Sequence, residues 1–313
     1  MNGWTARLHA NVRLVSLVAA LVASILTSCV SGSRSASGIS GGKLQVVAAE
    51  DFWGSIASQL GGDRVSVTSI ITNPNADPHD YEPTPDDARL IASAGYVIEN
   101  GIGYDPWVQK LIDANPSDGR NVLNVGDQVG VAVGGNPHQW YAPSNVQKVI
   151  DAITAEYQKR DATHASYFAQ QRTAFETVGL KRYHDLIAQI DQRFGGTAVG
   201  ASESIFEPMA SALGLDLLTP PSFLKAVSEG AEPTAGDKAT IDAQILQRQI
   251  KVYVYNSQNA TPDIQRQIDE CRAQDIPVTT ITETLVPEGA SFQDWQASQL
   301  QALASALARA ARP

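Results

Sequence analysis

The sequence predicts an α/β protein of two lobes, each with a parallel-sheet core, joined by a long helix. Three observations predict it. From Leu44 onward, short β-branched runs alternate with helical patterns, the rhythm of parallel strands and crossover helices. That rhythm breaks once, over residues 144–193, where no strand candidate occurs. Strands precede this segment and resume after it, and 313 residues suffice for two cores of ordinary size.

Residues 1–28 read as a signal peptide. Arg7 and Arg13 supply a positive start, and residues 14–26 form an apolar run. The run is shorter than the roughly 20 residues a bilayer span needs. It ends in Leu26-Thr27-Ser28-Cys29, which resembles a bacterial lipobox, so lipidation is expected on the Cys29 sulfur. Residues 29–43 are rich in Ser and Gly and read as a flexible tether.

The first lobe is expected over 44–163, with strand candidates at 44–49, 65–71, 96–100 and 121–125. The helical stretch from 144 is interrupted near Asp161, and 164–194 reads as one linking helix. The second lobe, 195–313, carries strand candidates at 197–202, 251–256 and 276–282. Two helix starts resemble capping boxes, Thr84-Pro85-Asp86-Asp87 and Thr234-Ala235-Gly236-Asp237. Cys271 lies in a helical stretch and reads as a packed thiol. Besides the lipid-bearing Cys29 it is the only cysteine, so no intrachain disulfide is expected.

Composition bounds the partners. A hydrophobic content of 43% and charge of 18% fit a soluble globular fold. The net charge of -10, with no block of Lys or Arg, argues against nucleic acid. Such a surface tolerates cations without identifying one.

In open parallel sheets, ligands bind beyond the carboxyl ends of the strands. His79, in Asn75-Ala76-Asp77-Pro78-His79-Asp80-Tyr81-Glu82-Pro83, follows the strand at 65–71. His138 sits in Asn136-Pro137-His138-Gln139-Trp140. In both loops a proline restricts the backbone beside the imidazole, so the ring can be aimed. Glu203 and Glu283 stand just after the runs at 197–202 and 276–282. Two imidazoles and two carboxylates would make a mixed N/O site suited to zinc or manganese. Loop histidines are commonly just exposed, and glutamates commonly cap helices, so the residues alone leave both readings open. His164 and His184, among polar helical neighbours, read as solvated surface.

Over about 44–311 the chain resembles the zinc- and manganese-binding solute receptors of bacterial ABC importers. Asp77-Pro78-His79-Asp80-Tyr81-Glu82-Pro83-Thr84-Pro85-Asp86-Asp87 resembles that family's first metal motif, and Asn136-Pro137-His138-Gln139-Trp140 its second. Asn100-Gly101-Ile102-Gly103-Tyr104-Asp105-Pro106-Trp107 resembles its turn after the third strand. Ser202-Glu203, ahead of Phe206, matches the third ligand position, and Thr282-Glu283-Thr284 falls at the fourth. Glu232-Pro233-Thr234 is similar to a Glu-Pro-Ser/Thr helix start.

The resemblance implies two lobes linked by a rigid helix, with metal held in the cleft between them by His79, His138, Glu203 and Glu283. It implies a monomeric receptor on the outer face of the cytoplasmic membrane, held there by lipid, that passes its metal to an importer permease. The third position is Glu203, as in manganese-type members, where zinc-dedicated members often have His. The fourth is Glu283 where the family usually has Asp, and a His-rich loop is missing. Zinc and manganese therefore both stay open as the bound ion.

Two other functions weigh less. A mononuclear metallohydrolase needs an open coordination position and a nearby base, whereas four protein ligands close a tetrahedral site. The sequence also lacks a His-Glu-x-x-His helix and a Gly-x-Ser-x-Gly elbow. No enzyme activity and no catalytic cofactor are expected. A surface adhesin role leaves no separate mark in the sequence.

Overall fold

The structure, a computed structural model, describes residues 39–40, 42–73 and 81–312. The expected signal peptide, Cys29, most of the expected tether and His79 lie outside the described residues.

The first sheet contains β1 (Ile39–Ser40), β2 (Lys43–Glu50), β3 (Val65–Ile71), β4 (Tyr96–Glu99) and β5 (Asn121–Asn124). Val46 pairs with Val67 on one side of β2 and with Tyr96 on the other. The parallel order is therefore β3-β2-β4-β5, with β1 antiparallel against the start of β2. β1 departs from the all-parallel expectation, because two residues carry no readable period. The second sheet contains β6 (Ala198–Ala201), β7 (Asp216–Leu217), β8 (Val252–Asn256) and β9 (Val278–Ile281), all parallel in the order β7-β6-β8-β9. The parallel strands of the two sheets share one order, although the sequence halves show no repeat. In each, the chain leaves the founding strand first to one side and then to the other. Such a switch point opens a crevice beyond the strand ends, here between β2 and β4 and between β6 and β8.

Helices cover the sheets. α1 (Asp51–Gly61) buries Phe52, Trp53, Ile56 and Leu60, an apolar stripe at helical spacing. Gly54 lets it lie close to β3, since a Cβ there would stand 2.0 Å from Ser69 Oγ. α2 (Pro85–Ser93) begins with the expected capping box: Thr84 accepts from Asp87 N, and Asp87 accepts from Thr84 N at 2.7 Å. α3 (Pro106–Ala114), α4 (Val125–Val129) and α5 (Pro143–Arg160) complete this half.

The linking segment is α6 (Ala165–Ala174) and α7 (Lys181–Phe194), separated by a π turn at Phe175–Gly179. One unbroken α-helix was the expectation. Phe175 and Leu180 are both buried, and five residues on an α-helix point about 140° apart. The wider turn, closed by Leu180 N donating to Phe175 O at 2.8 Å, brings both to the core side. His164 is also not simply solvated: its Nδ1 lies 2.7 Å from Asp161 Oδ1, and Arg64 bonds the other Asp161 oxygen at 2.8 Å. His184 is exposed.

In the second half, α8 (Glu207–Ala212), α9 (Pro221–Ser228), α10 (Ala235–Leu246), α11 (Pro262–Ala273) and α12 (Phe292–Ala310) follow in order. Thr234 accepts from Asp237 N at 3.1 Å at the start of α10. Cys271 is fully buried in α11, and burial pushes its thiol up to about 12, so it is a packing group. One hydrophobic cluster runs from β2 and α1 through α5, α6 and α7 to β6, β8 and α12. α12 also reaches back to α1, where the Gln293 and Gln59 amides exchange hydrogen bonds at 3.0 and 2.7 Å. Among the described residues, no helix is long and apolar enough to cross a membrane.

Candidate metal centre

Glu203 stands two residues beyond β6, and Glu283 two beyond β9, as strand-end placement requires. Neither serves as a helix cap. Glu203 opens the 3-10 turn Ser204–Phe206 without a side-chain cap bond. Glu283 enters a loop, and the next helix, α12, is capped by Ser291. Both carboxylates are buried, as is His138, which has no exposed surface.

His138 and Glu283 meet. His138 Nε2 lies 3.8 Å from Glu283 Oε2, one side chain from each half of the molecule. Two donors held 2.0–2.2 Å from one tetrahedral ion stand roughly 3.3 Å apart, so a small inward shift would let both bind the same cation. Glu283 is fixed from three sides. Tyr104 Oη donates to its Oε2 at 2.7 Å, Asn256 Nδ2 donates to its Oε1 at 3.0 Å, and its backbone N–H donates to Gln258 Oε1. Thr282, just before it, is held by Trp295 Nε1 at 2.8 Å and by Tyr141 Oη at 2.7 Å.

Glu203 Oε2 accepts from Asn259 Nδ2 at 3.1 Å. Its neighbour Ser204 places Oγ 3.5 Å from His138 Nδ1, so the end of β6 adjoins the imidazole. The ring of His138 packs edge-on to Tyr104 and Trp140, with centroids at 6.2 and 5.2 Å. Trp140 in turn stacks on Phe52 at 4.0 Å. Of the four candidate ligands, the described structure joins His138 with Glu283, puts Glu203 at the adjoining strand end, and does not include His79. Among the described residues, no three His, Cys, Asp or Glu side chains converge as a metal cluster.

Residues 46–306 match the family model described as zinc-uptake complex component A, periplasmic. The chain belongs to that family. The manganese-binding lipoprotein MntA of Halalkalibacterium halodurans is 27% identical over 181 residues, covering 55% of this chain and 59% of that protein. The manganese ABC transporter substrate-binding lipoprotein PsaA of Streptococcus mitis is 24% identical over 261 residues, covering 76% and 80%. The manganese-bound periplasmic metal-binding protein from Candidatus Liberibacter asiaticus superposes with a TM-score of 0.68 at 19% identity, over 84% of this chain and 98% of that one. That likeness shows the fold.

In this zinc-uptake family member, the turn after β4 carries both Tyr104 and the support of the His138 loop. Asp105 accepts backbone N–H bonds from Asn100 and Gly101, both at 2.7 Å. Asn100 accepts from Trp53 Nε1 at 3.1 Å and donates to Pro137 O at 3.0 Å, pinning the residue before His138. Gly101, Ile102 and Gly103 all have positive φ, of 70, 60 and 88°. For a β-branched residue such as Ile102 this is strained backbone, held here by its surroundings.

Acids crowd the same strand ends. Burial, with the charge of Asp105, holds the Glu50 carboxyl well above the usual range. Burial raises Asp105 against its two N–H bonds. Burial and then Asp105 push Glu99 up to about 7. Asp51 is raised to about 7 by burial, although it accepts the Leu285 N–H at 3.2 Å.

Beside the candidate centre, a cleft of about 400 Å³ is lined by Tyr104, Asn136, Pro137, Ser204, Glu207 and Lys225. Burial raises the Glu207 carboxyl, and a hydrogen bond from Asn136 draws it back down. Sequence reasoning singled out the histidines and glutamates and missed Tyr104, Asn136, Asn256, Gln258 and Asn259. The strand-end rule that found Glu203 and Glu283 also covers Asn256 and Asn259, which close and follow β8.

Proposed function

We propose that this chain captures a divalent transition metal outside the cytoplasmic membrane and delivers it to an ABC importer. His79, His138, Glu203 and Glu283 are the proposed ligands, with the ion as cargo and no chemistry performed on it. The observation that carries the reading is the meeting of His138 Nε2 and Glu283 Oε2 at 3.8 Å, on loops from opposite halves. An imidazole nitrogen and a carboxylate oxygen brought together in a buried site are the donor types that zinc and manganese both accept. Family membership and relatives named for manganese support the same reading.

Either ion suits two imidazoles and two carboxylates. Zinc takes them with one oxygen from each acid, whereas manganese would use both oxygens. Affinity follows the divalent series, so zinc is expected to bind more tightly than manganese. Metal analysis of chain purified without chelator, followed by zinc/manganese competition in a titration calorimeter, tests this. Absence of binding to either ion would overturn the receptor reading, and tighter manganese would reverse the ranking.

The anchor is the second part of the reading. Lipid on Cys29 would hold the receptor at the membrane beside its permease. Cys29→Ala is expected to move the protein to the soluble or culture fraction. A variant still membrane-bound after salt and carbonate washes would remove lipidation at that sulfur.

A further inference from the structure

We propose that Glu207, acting through the Asn136 carboxamide, is the positioning residue that sets the tautomer and pose of His138. The inference deepens the metal-receptor reading and rests on His138 being a ligand.

Asn136 sits at the junction of the two halves. Its Nδ2 donates to Ser204 O at 2.7 Å and to Glu207 Oε2 at 2.8 Å. Its Oδ1 faces His138, 3.0 Å from the backbone N and 2.9 Å from the ring Nδ1. A main-chain carbonyl and a carboxylate only accept hydrogen bonds, so the amide must turn its NH2 toward them. That leaves Oδ1, an acceptor, toward the histidine. Nδ1 must therefore carry a proton, and in the neutral ring this leaves the lone pair on Nε2. Nε2 is the nitrogen that lies 3.8 Å from Glu283 Oε2.

Metal-binding histidines usually have this tautomer fixed by a carboxylate or carbonyl on the far nitrogen. Here the carboxylate is one residue removed, with an amide as relay. The geometry has a further consequence. Asn136 and His138 come from the first half of the chain, whereas Ser204 and Glu207 open the turn and helix after β6. The pose of a first-half ligand is thus set from the second half. Ser204 O alone uses one of the two amide hydrogens, and Glu207 takes the other. Without Glu207 one N–H loses its partner beside the cleft, and Ser204 O alone is left to hold the NH2 end of the carboxamide.

The test uses the full chain carrying ¹⁵N-labelled histidine, with long-range proton–nitrogen spectra recorded metal-free and His138 assigned by its loss in His138→Gln. Wild type is expected to show one tautomer, protonated on Nδ1. Glu207→Ala is expected to shift the His138 nitrogens toward a tautomer mixture and to weaken zinc binding by about 10- to 100-fold, the scale of supporting contacts at metal sites. Glu207→Gln retains an acceptor oxygen and is expected to restore both readouts, which a purely charge-based role would not. Unchanged His138 nitrogens in Glu207→Ala would overturn the proposal, as would Glu207→Gln behaving like Glu207→Ala. The metal-free spectra judge the positioning role independently of the zinc titration, so failure of wild type to bind metal overturns the receptor reading alone.

Discussion

At the residue scale, the site depends on groups whose burial is offset by specific partners. His138 packs edge-on against two aromatic rings, an amide oxygen meets its Nδ1, and its Nε2 is aimed toward Glu283 Oε2 at 3.8 Å. Glu283 is buried and accepts from a phenol and an amide, which hold its two oxygens in place. His79→Ala and His138→Ala are each expected to weaken zinc binding severely, whereas His164→Ala and His184→Ala leave it intact. His164 has a structural partner instead, in the Asp161–Arg64 pair, and its loss is expected to register in stability only. Ligand imidazoles must be unprotonated, so affinity should fall as pH drops through the histidine range near about 6.5. Titration calorimetry of the four variants checks this, and equal effects from all four would sink the ligand assignment.

At the element scale, the turn from Asn100 to Asp105 is where backbone conformation and site geometry are tied together. Gly101 has φ 70°, and a Cβ there would stand 2.3 Å from Asn124 Oδ1. Gly101→Ala is therefore expected to cost on the order of 1–3 kcal/mol of stability from left-handed backbone alone. Zinc affinity should fall as well, because Tyr104 and the Asn100 bond to Pro137 O both hang from this turn. Urea denaturation with parallel zinc titration reads both, and a fully stable variant with normal affinity would contradict the account. The elements themselves were largely legible. Buried parallel strands announce themselves as β-branched runs, and Val46 through Glu50 of β2 are all buried. β1 and β7, at two residues each, are too short for any pattern. The π turn was hidden because Phe175–Gly179 reads as ordinary helix until Phe175 and Leu180 are known to face one core. The residues alone left the candidate ligands open, since loop histidines and helix-capping glutamates are common, and the family resemblance singled out His79, His138, Glu203 and Glu283. Asn136 was not legible, since a carboxamide beside a proline reads as turn chemistry, and its role exists only once Ser204 and Glu207 are brought across to it.

At the scale of the whole molecule, the two sheets share a continuous core, and acids are buried at and just beyond the ends of β2 and β4. Glu50, Asp51, Glu99 and Asp105 are all raised by burial, Asp51 and Glu99 to about 7. The sign follows from proton counting. Between about pH 4 and pH 7 the folded chain holds protons on these groups that the unfolded chain has lost, so stability falls as pH rises through that window. For Asp51, at about 1.36 kcal/mol per pH unit, the rise from 3.8 to about 7 amounts to at most about 4 kcal/mol. Metal binding runs the other way, because imidazole ligands gain competence as pH rises and binding stabilises the folded state by mass action. The metal-free chain is therefore expected to melt at a lower temperature at about pH 8 than at about pH 5.5, while the gap between metal-loaded and metal-free widens with pH. Asp51→Asn keeps an oxygen for the Leu285 N–H and removes the titrating proton. It should flatten the metal-free slope and make the variant more stable than wild type at the alkaline end. Calorimetric melts of wild type and Asp51→Asn across this range, with chelator and with zinc, decide the matter. A metal-free wild type that grows more stable toward alkaline pH, or an Asp51→Asn slope matching it, would show that the buried acids do not control the pH dependence of this chain's stability.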